Sequence, residues 1–567
     1  MERAIIVQSD LTVLLDERSK NADNARELLH GFAELVKRTG EMHAYRITPI
    51  TIWNALSAGG DADTIVQDLE QHARYGLPLQ ASASIRLWAG RYGKLQMFEE
   101  SGRLILSGNK AILGQLERFT AVTTRIKERI SAERWELIPE SRGDFKQELT
   151  RLGFPVLDHA GYRDGEALSV QLRAESTRGR VFAMRSYQME ALDRFLRNGS
   201  VQGGSGVVVL PCGTGKTVVG LAALTRLGAE TLILTSSVTS AQQWMDELLD
   251  KTTLTEAQIG LYCGSFKQVR PVTISTYTLL THRKSKNDGF ANMNLFSERD
   301  WGLIIYDEVH LLPAPVFRMT ASLQATRRLG LTATLVREDG CAEDVYSLIG
   351  PKLFDMEWKK AEAGAFISVV NCAEIRVRLH DSQTADYAES GASGKLRIAA
   401  ENRNKLPVVR ELLGRHEGKP TLIIGQYLNQ LHQVAQELDA PLLTGEVSQE
   451  ERSVLYDRFK QGDIQVLVVS KIANLAVDLP DAAVAIQLSG SFGSRQEEAQ
   501  RIGRLLRPKQ GNNEAWFYTL VTDGTKETEF ALKRQLFMME QGYMYERQKL
   551  SDEERSVADL EGGALRC

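Results

Sequence analysis

The sequence predicts an α/β protein in which two parallel-sheet domains follow one another, preceded by smaller mixed α/β modules. Three observations carry this. Between residues 205 and 333, short β-branched runs ("GVVVLP", "TLILTS", "VTISTY", "GLIIYD", "RLGLTA") alternate with helical stretches. That is the rhythm of βαβ units around a buried parallel sheet. The rhythm returns in "PTLIIG", "APLLTG", "IQVLVVSK" and "VAIQLSG". Ahead of both, residues 1–175 read instead as hairpins and amphipathic helices.

A chain of 567 residues requires several domains, and 43% hydrophobic with 25% charged residues is an ordinary globular balance. The net charge of −4 rules out an overall basic field, though a local basic groove can coexist with an acidic body. Five cysteines are scattered without a CxxC pair, which argues against a zinc site or a disulfide framework. No signal-peptide pattern opens the chain, and no apolar run reaches the length of a membrane span. The expectation is a soluble, cytoplasmic protein.

In order, "AIIVQ" and "LTVLLD" predict paired strands turning at Ser9-Asp10. A helix is expected next, with Leu28, Leu29, Phe32, Leu35 and Val36 on one face and Gly40 as its stop. Residues 50–92 read as helical, interrupted at Gly59-Gly60. "KLQMFEESGRLILSG" predicts a hairpin turning at Ser101-Gly102. "RWELIP", "GDFKQELTRLG" and "ALSVQLRA" predict strand, helix, strand. The two parallel-sheet domains are expected at 176–358 and 401–567. A linker over 359–400 joins them, with "SQTADYAESGASGK" as a flexible insert.

"GVVVLPCGTGKTVVGLAALTRL" places a loop (Pro211, Cys212, Gly213, Thr214, Gly215) between strand and helix. Its backbone N–H groups and the helix N-terminus can wrap phosphate oxygens. Lys216 would reach the β- and γ-phosphates, and Thr217 would bind Mg²⁺. Leu210 stands where the strict loop pattern has Gly. "WGLIIYDEVHLLP" ends a buried strand in Asp307 and Glu308, at the edge where open α/β sheets bind ligands. Asp307 would hold Mg²⁺ and Glu308 would orient or deprotonate an attacking water. His310 completes D-E-x-H and would couple nucleotide state to movement. Thr332 and Thr334, in "LTAT", carry hydroxyls able to bond the acidic box. In the second domain "QEEAQRIGRLLRPK" supplies Gln500, Arg504 and Arg507. The two arginines share a helix face, and only Arg offers a permanent charge on a planar fork for a transferring phosphoryl group.

Together these residues resemble superfamily 2 helicases, which commonly relax the first loop glycine, and within them the XPB-type DNA helicases of repair and transcription. The sharpest matches are "RSYQMEAL", "LPCGTGKT", "SSVTSAQQW", "ISTYTLL", "DEVHLLPAPVFR", "LGLTATLVRED", "LIGPKLF", "SKIANLAVDLPDA" and "GSRQEEAQRIGRLLRPK". The resemblance is strong over about residues 180–545 and looser before 175. It implies two tandem RecA-like domains, ATP and Mg²⁺, and 3′ to 5′ movement on DNA. It implies that Gln188 reads adenine and that Arg337, Glu338 and Asp339 form the element that opens the duplex. Ser470 and Asp478 would link DNA contact to ATP, with Asp478 on the nucleotide side. Residues 1–105 would match the family's helicase-associated domain and 106–175 a damage-recognition-like module, although these residues read equally well as packing scaffold. Residues 381–400 stand where the family has a thumb-like insert, but are short and Gly/Ser-bearing.

Strand contacts should fall largely on phosphates, since a translocase steps over any sequence. Loop ends with Ser236, Ser237, Thr276, Tyr277, Gln426 and Ser470 are the candidates. The partners expected are DNA and a repair nuclease, with a monomeric motor bound to the nucleoid when on DNA. Two other readings stand beside this one: an RNA helicase, and a nucleotide-switched DNA-binding scaffold for a nuclease.

Overall fold

The computed structural model describes residues 3–39, 41–197, 203–264, 266–283, 290–324, 326–333, 342–470, 482–490, 505, 513–540, 543 and 545–548. The chain divides into two compact units, the first of Met1–Pro211 and Gly215–Met356, the second of Glu357–Cys567 together with the short loop segment Cys212–Thr214. Among the described residues the first unit holds three sheets and the second holds one.

The first sheet is antiparallel: β1 (Ile5–Val7), β2 (Thr12–Asp16), β3 (Glu34–Thr39) and β4 (Met42–Arg46), in the order β1-β2-β4-β3. The expected strand pair forms, its turn held by Asp10 Oδ1 accepting from the Thr12 amide at 3.0 Å. The expected helix stops early, at His30. Leu35 is buried while Val36 is exposed, so the apolar period has changed from 3.6 to 2, and this stretch becomes β3. Helices Pro49–Ser57, Ala62–His72 and Leu79–Arg91 follow.

The second sheet contains β5 (Leu95–Glu100), β6 (Arg103–Gly108), β7 (Ile126–Ser131), β8 (Arg134–Leu137) and β9 (Val156–His159), ordered β7-β8-β6-β5-β9. Ser101 (φ 52°) and Gly102 (φ 75°) are both left-handed, the geometry a two-residue hairpin turn requires. A boundary at 105/106 would cut through β6; the sheet assigns the whole hairpin to the second module, which starts at Leu95. The expected strand at 167–174 is absent from this sheet, and β9 takes its place. The amides of Leu168 and Arg173 instead donate to Gly228 O (2.7 Å) and Lys251 O (2.8 Å).

The third sheet carries β10 (Ser205–Val209), β11 (Thr231–Thr235), β12 (Ile259–Cys263), β13 (Phe266–Lys267), β14 (Val272–Thr276), β15 (Leu303–Asp307), β16 (Arg327–Thr332) and β17 (Lys352–Asp355). Its order is β13-β12-β14-β11-β15-β16-β10-β17, parallel except for β13. The five runs expected from sequence are the five consecutive inner strands. Helix Arg142–Arg151 of the second module lies against helix Ala314–Ser322 so closely that a Cβ on Gly143 would sit 2.2 Å from Ala321 O.

The second unit has β18 (Val369–Val377), β19 (Thr421–Gly425), β20 (Leu442–Leu443), β21 (Val466–Ser470), β22 (Val484–Gln487), β23 (Glu514–Thr522) and β24 (Tyr545–Gln548). All pair in parallel, in the order β20-β21-β19-β22-β23-β18-β24. This corrects the expected linker over 359–400. Residues Val369–Val377 form an inner strand in register with β23 from Val369↔Glu514 to Val377↔Thr522. Asn371, Glu374 and Arg376 break its apolar run, and buried Glu374 is satisfied by Arg376 Nε (2.7 Å) and Gln535 Nε2 (2.8 Å). The expected flexible insert carries short helices, Thr384–Glu389 and Ala392–Ala400.

Candidate active site

The C-terminal ends of β15, β16 and β10 lie side by side, with Asp307 in register with Leu331 and Val209 with Thr332. Leu210 prolongs β10 by donating its amide to Thr332 O at 3.0 Å and is buried, so a side chain is accommodated at the relaxed glycine position. Gly213 (φ 81°) and Gly215 (φ 80°) then turn the loop through backbone space that L side chains rarely adopt. The helix Lys216–Leu227 starts there, so its N-terminal amides face the loop. A Cβ on Gly215 would stand 2.7 Å from Gln188 Nε2. Gln188, buried, donates from Nε2 to Gly215 O (3.4 Å) and accepts at Oε1 from the Arg185 amide (2.9 Å). Its side chain therefore braces the loop.

Lys216 Nζ lies 3.9 Å from Glu308 Oε1. Glu308 itself holds φ 50°, ψ 53°, a left-handed conformation costly for a residue with a Cβ and one that persists only where its surroundings enforce it. Asp307 accepts at Oδ2 from the Trp244 indole N–H (2.9 Å) and at Oδ1 from the Glu308 amide (3.1 Å). Its main-chain carbonyl accepts from the Tyr277 hydroxyl (2.8 Å). Burial, then the adjacent Glu308 carboxylate, push the Asp307 pKa up. The donor set of Thr217, Asp307 and Glu308 is oxygen throughout, with two carboxylates crowded together, and that chemistry fits a hard divalent cation such as Mg²⁺. His310 is buried, with Nδ1 2.7 Å from Thr332 Oγ1 and 3.4 Å from Glu308 Oε2. The acidic box and the end of β16 are thereby joined through side chains.

Ser236 and Ser237 leave β11, and Ser237 caps helix Val238–Lys251 by accepting from the Ser240 amide (3.1 Å). Thr276, in register with Thr235 on the neighbouring strand, caps helix Tyr277–Leu280 through the Leu279 amide (3.3 Å). The two loops thus leave adjacent strand ends. Tyr277 departs from the sequence expectation: its side chain is buried with its hydroxyl on Asp307 O, which removes it from the surface contacts. In the second unit Ser470 ends β21 in register with Gly425, the residue before Gln426, whose amide donates to Ser489 Oγ (2.9 Å). Thr334, Arg337, Glu338, Asp339, Asp478, Gln500, Arg504 and Arg507 lie outside the described residues.

Sequence reasoning missed Trp244. It shares a helix face with Ala241 and Leu248, all buried, a spacing that reads as core. The one available signal was that an indole N–H on such a face needs an acceptor.

Residues 361–560 match the ERCC3/RAD25/XPB C-terminal helicase family, 181–337 the type III restriction enzyme res subunit family, and 5–131 a helicase conserved C-terminal domain. A Kineococcus radiotolerans protein named DNA 3′-5′ helicase XPB is 48% identical over 98% of this chain and 98% of its own. The Mycobacterium tuberculosis protein of the same name is 47% identical over 95% of this chain and 97% of its own. An Encephalitozoon cuniculi general transcription and DNA repair factor IIH helicase/translocase subunit XPB is 30% identical over 95% of this chain and 82% of its own. With near-complete coverage at such identity, and the phosphate loop, acidic box and coupling pair together at one sheet edge, the chain belongs to the XPB family of superfamily 2 helicases.

Proposed function

We propose that this chain is an ATP-dependent 3′ to 5′ DNA helicase or duplex translocase working in DNA repair. One observation carries the reading: Lys216, Asp307, Glu308 and the His310–Thr332 pair converge on adjacent strand ends, in a chain resembling DNA 3′-5′ helicases over almost its full length. Lys216 and the loop amides take charge from the phosphates, and Glu308 orients the attacking water and accepts its proton. Thr217, Asp307 and Glu308 would hold Mg²⁺, which when bound would neutralise charge developing on the phosphates. Gln188 reads adenine from its helix beside the loop it braces. Gln500, Arg504, Arg507 and Asp478 meet the nucleotide from the second RecA-like domain, so that turnover drives domain movement. Ser236, Ser237, Thr276, Gln426 and Ser470 grip strand phosphates, while Arg337, Glu338 and Asp339 open the duplex. A cytoplasmic, monomeric motor that reaches the nucleoid through DNA, with a repair nuclease as partner, completes the proposal.

The test is ATPase activity with and without DNA, together with triplex displacement, for the wild type and Lys216→Ala. DNA should stimulate the wild type, RNA should not, and the variant should stay folded yet lose at least about a hundredfold in turnover. Near-normal hydrolysis by Lys216→Ala would mean the active site lies elsewhere.

A further inference from the structure

We infer that Trp244 and Tyr277 are positioning residues through which the loops at Ser237 and Thr276 set Asp307 and Glu308, so that a strand held at those loops raises ATP turnover. This rests on the proposed DNA-stimulated ATPase. The geometry is convergent. β14, β11 and β15 are neighbours in the sheet. The helix capped by Ser237 carries Trp244 two turns on, and the helix capped by Thr276 begins with Tyr277. Each sends its only polar side-chain atom to Asp307: Trp244 Nε1 to Oδ2 at 2.9 Å, and Tyr277 OH to the main-chain carbonyl at 2.8 Å.

The two bonds hold different things. Trp244 fixes the rotation of the carboxylate proposed to face Mg²⁺. Its ring also lies against the helix that follows the phosphate loop, where a Cβ on Gly220 would stand 2.5 Å from Cη2. A shift of helix Val238–Lys251 therefore reaches both the phosphate loop's helix and the acid. Tyr277 holds the peptide plane between Asp307 and Glu308. That plane's orientation determines φ of Glu308, which stands at 50°. Loss of this bond removes a restraint that keeps Glu308 in its strained, left-handed position. Pure core filling would need neither donor, since an apolar side chain fills such a place without a buried polar atom to satisfy.

Tyr277→Phe deletes its donor and keeps its ring, while Trp244→Phe deletes the other donor and also loses one ring of the buried indole, a packing cost that the thermal melts report; the double variant combines them. ATPase rates are measured without DNA and with saturating DNA, across ATP and Mg²⁺ titrations, beside thermal melts. Each single variant should lower the ratio of stimulated to basal rate by about tenfold, the scale of one hydrogen bond to a charged or strained group. Trp244→Phe should also raise the Mg²⁺ concentration needed for half-maximal rate, whereas Tyr277→Phe should lower kcat with KM for ATP little changed. The double variant should fall short of the product of the two losses, because both act on one residue. Basal and stimulated rates falling in equal proportion, at whatever melting temperature, would overturn the inference and leave packing as the role of both rings. A wild type that DNA does not stimulate would overturn the functional reading itself, a separate and visible failure.

Discussion

The two RecA-like sheets treat buried charge in opposite ways. At the strand ends of the first, Lys216 approaches Glu308 only to 3.9 Å, and Glu308 stands on a strained backbone beside a carboxyl whose pKa is raised. In the second, Lys405 is buried and donates to Leu488 O at 2.7 Å and to both Glu527 oxygens at 3.0 and 2.9 Å. Glu527 further accepts from the Thr522 amide at 2.9 Å. An ion pair with short, multiple partners is a fastening. Carboxylates crowded against each other and held at a distance from their cation are arranged for a ligand that is to come between them. Burial alone does not separate chemistry from scaffold; the geometry of satisfaction does.

If that distinction holds, equivalent charge deletions should have opposite readouts. Glu308→Gln should reduce DNA-stimulated turnover by about 10²–10⁴-fold, the range for a lost general base. Its melting temperature should stay near wild type, because the amide keeps the side chain's size and the pair it gives up is loosely made, at 3.9 Å. Lys405→Met should do the reverse. It strands a buried carboxylate and should cost about 3–5 kcal/mol of stability by denaturant titration, partly recovered by adding Glu527→Leu. A Glu308→Gln protein that melts far below wild type, or a Lys405→Met protein as stable as wild type, would break the comparison.

The same contrast explains what the sequence made legible. The inner strands β10, β11, β14 and β15 were readable because each is a short β-branched run with no charge before its last residue, and β16 because an uncharged stretch follows its buried Arg328. Lys216, Asp307, Glu308, His310 and Thr332 were readable because each ends such a run or follows it within one short loop, and a parallel sheet gathers those ends at one edge. β18 was not: its buried Glu374 finds Arg376 and Gln535 only in the folded chain. Helix 22–30 and β3 were fused in the reading because Leu35 satisfies both periods, and only Val36, exposed, decides between them. Trp244 and Tyr277 stayed hidden for a similar reason. Which acceptor a buried donor meets is settled by tertiary contact, and the sequence shows only that a donor exists.

The smallest expected effect concerns a fastening in the first unit, where helix Arg142–Arg151 meets β9. Asp158 accepts from Arg142 Nε (3.0 Å) and Nη2 (2.8 Å) and from Lys146 Nζ, which also donates to Gln324 at 2.9 Å. Burial alone would raise the Asp158 pKa, but Lys146 and Arg142 override it and hold the carboxyl well below the usual carboxylate range. Burial also brings the Lys146 ammonium down to about 8, so both groups are charged at neutral pH. A carboxylate with a depressed folded pKa contributes stability that is complete above its unfolded value, near 3.9, and is lost as pH falls below it. Between pH 7 and pH 3 this one group should account for about 1 kcal/mol of the wild-type loss. Asp158→Asn should be less stable than wild type at pH 7, and the gap should narrow by about that amount at pH 3. Its ATPase rate relative to wild type should not change with pH over the range where both stay folded. Parallel stability curves for the two proteins from pH 7 to pH 3 would show that Asp158 is not held ionised by its cations, and would move this cluster out of the class that Lys405 and Glu527 define.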